Sequence, residues 1–229
     1  MTSNEFDMLN ATWNLLGERE SYWSVITDNK YLAKNITTES KSAFYQSGLD
    51  DAVFIENLLH KHGNTMVNKV VLDYGCSVGR ITNGALTFKP KRLFGCDISL
   101  PHLEVAKKNI PGAEYFHMTE NLPDFPESPQ IIYSLIVLQH NRPSLMKNYI
   151  RKILNILAPD GVAILHIPYN GTHTNLNDTT IGIMEMHSIA KDEVQTIVNE
   201  CGCTLLEINE DRDMCGGGIQ NAVYIIASR

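Results

Sequence analysis

Apolar residues along this chain switch between two periods. Val53, Phe54, Ile55, Leu58 and Leu59 recur at helical spacing, with Lys61 and His62 in the last turn and Gly63 where a C-cap belongs. Residues 69–73 form a short apolar strand, the turn residues 75–79 follow, and a helix is expected from Arg80 onward. The spacing then predicts a strand at 92–97, a helix at 101–109 behind Ser99 as N-cap, and strands at 113–117 and 131–134. Residues 143–157 read as an amphipathic helix with Leu145, Met146, Tyr149, Ile150, Ile153 and Leu157 on one face. A turn at 159–161 leads into a strand at 162–167, a helix covers about 189–201, and strands near 204–208 and 222–227 close the chain. Strands alternating with helices predict an α/β architecture, a parallel sheet covered on both faces.

Residues 1–49 break this rhythm. They form a polar leader studded with Trp13, Tyr22, Trp23, Tyr31, Phe44 and Tyr45. That aromatic content argues against disorder and predicts short helices packed on a main domain at 50–229. The leader is expected either to pack as an extra helical layer or to serve as a lid.

Composition narrows the partners. A net charge of −7 and 43% hydrophobic residues suit a globular domain rather than a phosphate-tracking surface. No apolar run approaches the ~20 residues that span a bilayer, and the N-terminus lacks the signature of a signal peptide. Neither nucleic acid nor membrane is expected as a partner. The five cysteines (Cys76, Cys96, Cys201, Cys203 and Cys215) lack metal-site spacing, so no metal is expected, and they read as reduced thiols of a cytoplasmic protein.

The chemistry concentrates at residues 70–80, where an apolar strand ends in Asp73 and a small-residue turn opens a helix at Arg80. Glycines there allow a close ligand approach, and a helix N-terminus offers free N–H groups. Asp97 ends the next strand about 20 residues on, where an acid accepts ribose hydroxyls in nucleotide-binding folds. A dinucleotide fingerprint would need a glycine at Ser77, and Asp73 would repel a pyrophosphate. Gly75-Cys76-Ser77-Val78-Gly79 also matches the G-x-S-x-G elbow of α/β-hydrolases, with Ser77 as nucleophile, but it follows the first clear strand instead of several.

The block VLDYGCSVGR at 71–80 resembles the first motif of class I S-adenosylmethionine (SAM)-dependent methyltransferases, with Ser77 in place of the middle glycine. FGCDIS at 94–99, IIYSLIVLQHN at 131–141 and LAPDGVAILHIP at 157–168 resemble their later blocks in the same order, with Asp160 replacing a glycine of the last turn. The resemblance implies a Rossmann-like fold with a mostly parallel seven-stranded sheet flanked by helices, and SAM as cofactor. It implies that Asp73, Gly75, Cys76, Gly79 and Arg80 surround the methionine part of SAM. Asp97 would hold the ribose, and Ile98 would pack on the adenine. Met118 stands where the family often has an acid, with Thr119 as a substitute contact, and Ser134 would face the amino group or methyl.

For the acceptor, His140, His187 and His166 are the candidate bases, while His60, His62, His102 and His117 fall on surface or sheet positions and carry no assigned chemistry. A histidine base would make the rate rise with pH through the ordinary imidazole range. The leader resembles those of bacterial small-molecule methyltransferases, which points to an oxygen, or a nitrogen, of a sugar or similar metabolite. The alternatives are a hydrolase using Ser77 and a SAM-binding partner subunit without chemistry of its own.

Overall fold

In the computed structural model, which describes residues 3–175, 184–215 and 218–229, the apolar run after the leader becomes β1 (Val70–Tyr74), buried along its whole length. It lies between β2 (Arg92–Asp97) and β4 (Ile131–Ser134), parallel to both. β3 (Glu114–His117) flanks β2, and β5 (Val162–Asn170) flanks β4, again in parallel. The last two strands, β8 (Thr204–Asn209) and β9 (Gln220–Ala227), add antiparallel pairings, giving the order β3-β2-β1-β4-β5-β9-β8. This is the expected mostly parallel seven-stranded sheet. A separate hairpin joins β6 (His173–Asn175) to β7 (Met184–Met186).

Chain connections run in opposite directions on the two sides of β1, so the carboxyl ends of β1 and β4 flank a crevice, the usual ligand position in open α/β sheets. Helices cover both faces. α3 (Arg80–Ala85), α4 (Leu100–Asn109), α5 (Pro143–Ile156) and α6 (Lys191–Glu200) follow the strands. Ser99 caps α4 as its sequence predicts, its hydroxyl accepting from the His102 N–H. The apolar stripe of α5 is buried against the sheet together with Ile197 and Val198 of α6.

The leader differs from the expected short helices. α1 (Ser3–Arg19) has 17 residues, and α2 (Thr38–Lys61) has 24 and runs through position 50 without a break. A reciprocal capping box starts α2: the Thr37 hydroxyl accepts from the Ser40 N–H, and the Ser40 hydroxyl accepts from the Thr37 N–H. Gly48 lies in the middle of this helix, where glycine costs about 1 kcal/mol of helix propensity. Packing explains its presence: a Cβ there would lie 2.0 Å from the Arg80 carbonyl oxygen, and one on Gly84 would lie 2.6 Å from the Gly48 carbonyl. The two glycines let α2 and α3 touch backbone to backbone. Beside them, the buried Arg80 guanidinium pairs with the buried Asp51 carboxylate at 2.6 Å and donates to the Ser47 hydroxyl at 3.2 Å.

His102 departs from its expected surface position. It is fully buried, with Nε2 2.9 Å from the Ser24 hydroxyl, so it ties the leader to α4. Burial lowers its pKa to about 4. No helix among the described residues is long and apolar enough to cross a membrane.

The glycine contact predicts an asymmetric pair of variants. Gly48→Ala forces two backbones apart and should cost about 1–3 kcal/mol or more of unfolding free energy in urea. Gly63→Ala meets nothing within 4 Å and bears only its positive φ of 70°, about 1–2 kcal/mol. Gly48→Ala should therefore be the less stable of the two, and equal losses would contradict the close α2–α3 contact.

Candidate active site

At the carboxyl end of β1 the chain leaves the sheet through three consecutive odd positions of unusual backbone. Gly75, Ser77 and Gly79 all have positive φ, at 77°, 48° and 80°. Glycine accepts this region freely, whereas a serine there costs roughly 1–2 kcal/mol. The turn brings the Ser77 N–H to the Asp97 carboxylate at 2.9 Å. The other Asp97 oxygen accepts from the Ser99 N–H at 2.8 Å. One buried carboxylate thus fixes both loops, and each of its oxygens keeps lone-pair capacity for a further donor.

Asp73 sits one strand over, its Oδ2 accepting from the Thr82 hydroxyl at 2.6 Å. Burial is the largest influence on both acids. It raises Asp73 to about 7, against the lowering effect of Thr82, and Asp97 to about 6, against the two backbone donors. Two acids that give up their protons reluctantly in this cavity favour a ligand carrying positive charge and hydroxyl donors.

These residues line a cavity of about 900 Å³ that is partly open to solvent. Of the sequence-predicted cofactor residues, Asp73, Gly75, Cys76, Arg80, Asp97, Ile98 and Met118 face it, and Ser77 joins them. Gly79 lies behind the wall, where a Cβ would meet Ile110 at 2.6 Å, so its contribution is to the turn. Thr119 is exposed and does not line the cavity. Ser134 is fully buried in the sheet. The wall beside it comes instead from Leu135, Ile136 and Val137, which sequence reasoning passed over. Burial pushes the Cys76 thiol well above its ordinary range, so it is a packed thiol and not a nucleophile.

The leader contributes Leu9, Trp13, Ser24 and Val25 to the same cavity. The Trp13 carbonyl accepts from the Ser99 hydroxyl at 2.9 Å, and the Asn14 side chain accepts from the Leu100 N–H at 3.1 Å. Trp13 also meets His140 edge to face at 5.0 Å.

The three candidate bases separate clearly. His140 lines the cavity, and its Nδ1 lies 3.0 Å from the Glu185 carbonyl. A carbonyl can only accept, so Nδ1 carries the proton and Nε2 keeps the lone pair. Burial lowers His140 to about 4, leaving it neutral at pH 7. His166 is fully buried behind the cavity with both nitrogens engaged, so it cannot serve as the base. His187 pairs with the Glu185 carboxylate at 3.0 Å and does not line the cavity.

Ser77 does not act as a nucleophile elbow. Its hydroxyl is buried and has no hydrogen-bond partner among the described residues, so no base there stands at its side to activate it. The same orphaned hydroxyl faces the cavity, as does a pair of acids suited to a cationic nucleoside. Ile98 and Met118 add an apolar surface for a base. The donor set fits SAM.

The elevated acids predict how stability follows pH in the free protein. At these two acids the folded state binds protons more tightly than the unfolded chain, whose aspartates titrate near 3.8. Their contribution to stability should therefore fall as pH rises from about 4 to about 7, against the opposite contribution of His102, His140 and His166, which burial lowers to about 4, and Asp97→Asn should shift the slope toward stability that rises with pH. Thermal melts across this range check it, and an identical slope in the variant would contradict the burial of Asp97.

Residues 71–161 match the family model described as a methyltransferase domain. Solved structures share the fold at low identity. A magnesium protoporphyrin IX methyltransferase from Synechocystis PCC 6803, with bound SAM, is 12% identical with a TM-score of 0.68, over 98% of this chain and 97% of that one. An amino pentose methyltransferase from Micromonospora echinaspora, also with SAM, is 14% identical with a TM-score of 0.62, over 85% and 98%. A SAM-dependent methyltransferase from Clostridium acetobutylicum ATCC 824 is 14% identical with a TM-score of 0.60, over 80% and 91%. No curated protein matches the chain in sequence. With its motif blocks in order, its strand order and the match across the glycine turn, this chain carries a methyltransferase domain on the fold of the class I SAM-dependent methyltransferases.

Proposed function

We propose that this methyltransferase acts on an oxygen, or a nitrogen, of a small-molecule acceptor. One observation carries the reading: a second cavity, of about 810 Å³, adjoins the first and shares Trp13, Leu9 and His140 with it. Its body is apolar, with Met8, Leu145 and Met184, and it carries the ionisable groups Glu5, Arg142 and Glu185 besides His140. Two of the structural neighbours act on an amino pentose and on magnesium protoporphyrin IX, as their names state. A sugar-like or similar metabolite fits this range.

The cofactor supplies an activated methyl group on a sulfonium. The protein's part is alignment: Asp97 orients the ribose, Asp73 and the Gly75–Ser77 turn hold the methionine end, and Trp13 with the 135–137 loop excludes water. His140 stands where the two cavities meet, with Nε2 free to accept a proton from an acceptor hydroxyl. A base of pKa about 4 is a weak one, so His140 positions the hydroxyl by hydrogen bonding as much as it removes its proton. The leader acts as a fixed cover over both cavities. Five free cysteines accord with a reducing cytoplasm, where we place the protein.

Four measurements test this reading. SAM should bind more tightly as pH rises from 5 to 8, because the cation prefers the ionised forms of Asp73 and Asp97; a flat profile by calorimetry would remove both acids from cofactor binding. A metabolite screen for S-adenosylhomocysteine release should identify the acceptor. SAM binding without turnover, together with dependence on a second protein, would favour the non-catalytic partner-subunit alternative. With the acceptor in hand, His140→Ala should lower kcat by about 10²-fold, the weak end of general-base effects, with SAM affinity nearly unchanged. At saturating SAM, kcat of the native protein should stay level between pH 6 and 8, since His140 is already neutral there. The rise through the ordinary histidine range that sequence alone suggests is thus not expected, and observing one that His140→Ala abolishes would overturn the assignment.

A further inference from the structure

Among the described residues, five that are not glycine have positive φ, and Ile136, at 59°, is the only β-branched one. Isoleucine is strongly disfavoured there, and such a conformation persists only where its surroundings enforce it. Ile136 has no turn chemistry of its own to explain it. It sits in the middle of the 135–137 segment, all three residues of which wall the cofactor cavity. The segment also interlocks with the glycine turn: a Cβ on Gly75 would fall 2.4 and 2.6 Å from the two methyl carbons of Val137. A change in the backbone at 136 would therefore move two walls of the cofactor site.

The Ile136 N–H donates to Nδ1 of His166 at 3.3 Å. His166 is fully buried on β5 and does not reach the cavity. With Nδ1 accepting, Nε2 carries the proton and donates to the Asn221 side-chain oxygen at 3.0 Å. This is the opposite tautomer from His140. Asn221 is held in turn: its amide nitrogen donates to Asp213 at 2.9 Å and to the Ile219 carbonyl at 3.0 Å, and its oxygen also accepts from the Met214 N–H at 3.2 Å. The Ile136 backbone is thus anchored through one imidazole to the β8–β9 connection, on the far side of β5 from the cofactor.

We propose that His166 is a positioning residue for SAM: its Nδ1 acceptor holds Ile136 in the left-handed conformation that shapes the 135–137 wall of the cofactor site. It touches neither cofactor nor acceptor and acts through the Ile136 N–H alone. A buried histidine kept only for core stability would be replaceable by any side chain that preserves the Asn221 contact, whereas a positioning role requires an acceptor at the Nδ1 site.

Asparagine and glutamine separate these roles, because Asn places its oxygen near the Nδ1 position and Gln places its amide near Nε2. Calorimetric Kd values for SAM and S-adenosylhomocysteine would be measured for the native chain, His166→Asn, His166→Gln and His166→Leu, with melting temperatures alongside. His166→Asn should bind within about twofold of the native chain even though it loses the Asn221 contact and melts earlier. His166→Gln and His166→Leu should bind about fivefold to tenfold more weakly, the worth of one hydrogen bond. In an Ile136→Gly background, where the left-handed conformation needs no support, the loss from His166→Gln should shrink below twofold. Equal Kd values for the Asn and Gln variants, affinities that simply follow melting temperature, or an undiminished loss in the glycine background would each overturn the proposal. If His166→Leu fails to fold, the Asn and Gln comparison decides alone. Failure of the native chain itself to bind either compound would instead strike the cofactor assignment on which this inference rests.

Discussion

The buried carboxylate of Asp97 is the joint on which the site is assembled. It accepts one backbone N–H from the glycine turn after β1 and another from the start of α4, so the two loops share one side-chain anchor. Charge-assisted bonds of this kind are among the stronger polar contacts in proteins. Through Ser99, whose hydroxyl donates to the Trp13 carbonyl, the same anchor reaches the leader. Asp97, which we propose holds the ribose, is therefore also the structural link between sheet, helix and leader, and its elevated pKa is the cost of holding a charge where water is scarce.

The 135–137 segment supplies another wall of the cavity, and here the protein tolerates backbone strain. Ser77 and Ile136 both occupy a region that glycine would enter freely. Strain of this sort concentrates at functional sites because only a densely supported loop can retain it. Both strained residues line the cofactor cavity, and each donates its N–H to a side-chain acceptor, Asp97 for one and His166 for the other.

Much of this was legible in the residues. Parallel strands buried on both faces read as apolar runs, and the acid–glycine turn followed by Asp97 carried the cofactor assignment with its spacing. The parts that escaped have physical reasons. Gly48 disguises α2, because a mid-helix glycine ordinarily signals a break, and only the facing Gly84 explains it. Ser134 marked the end of β4 correctly, yet the residues just beyond it form the wall, because the chain turns through a backbone conformation that isoleucine does not advertise. His102 and His166 look no different in sequence from His140. What sorts them is burial and the chemistry of their partners: a hydroxyl, a backbone N–H and a carbonyl.

The continuity of α2 has a consequence for how this scaffold could diversify. A segment that lines a site can be exchanged without rebuilding the rest of a fold only if it is a separable module. Here that segment enters the body of the protein along a helix whose midpoint is pressed against the backbone of α3. A graft made at residue 50 would cut that helix beside its tightest contact. The natural seam lies earlier, in the irregular stretch between α1 and the Thr37 cap, so new acceptor preferences in this lineage would be expected to arise by replacing α1 alone while α2 stays behind with the catalytic core.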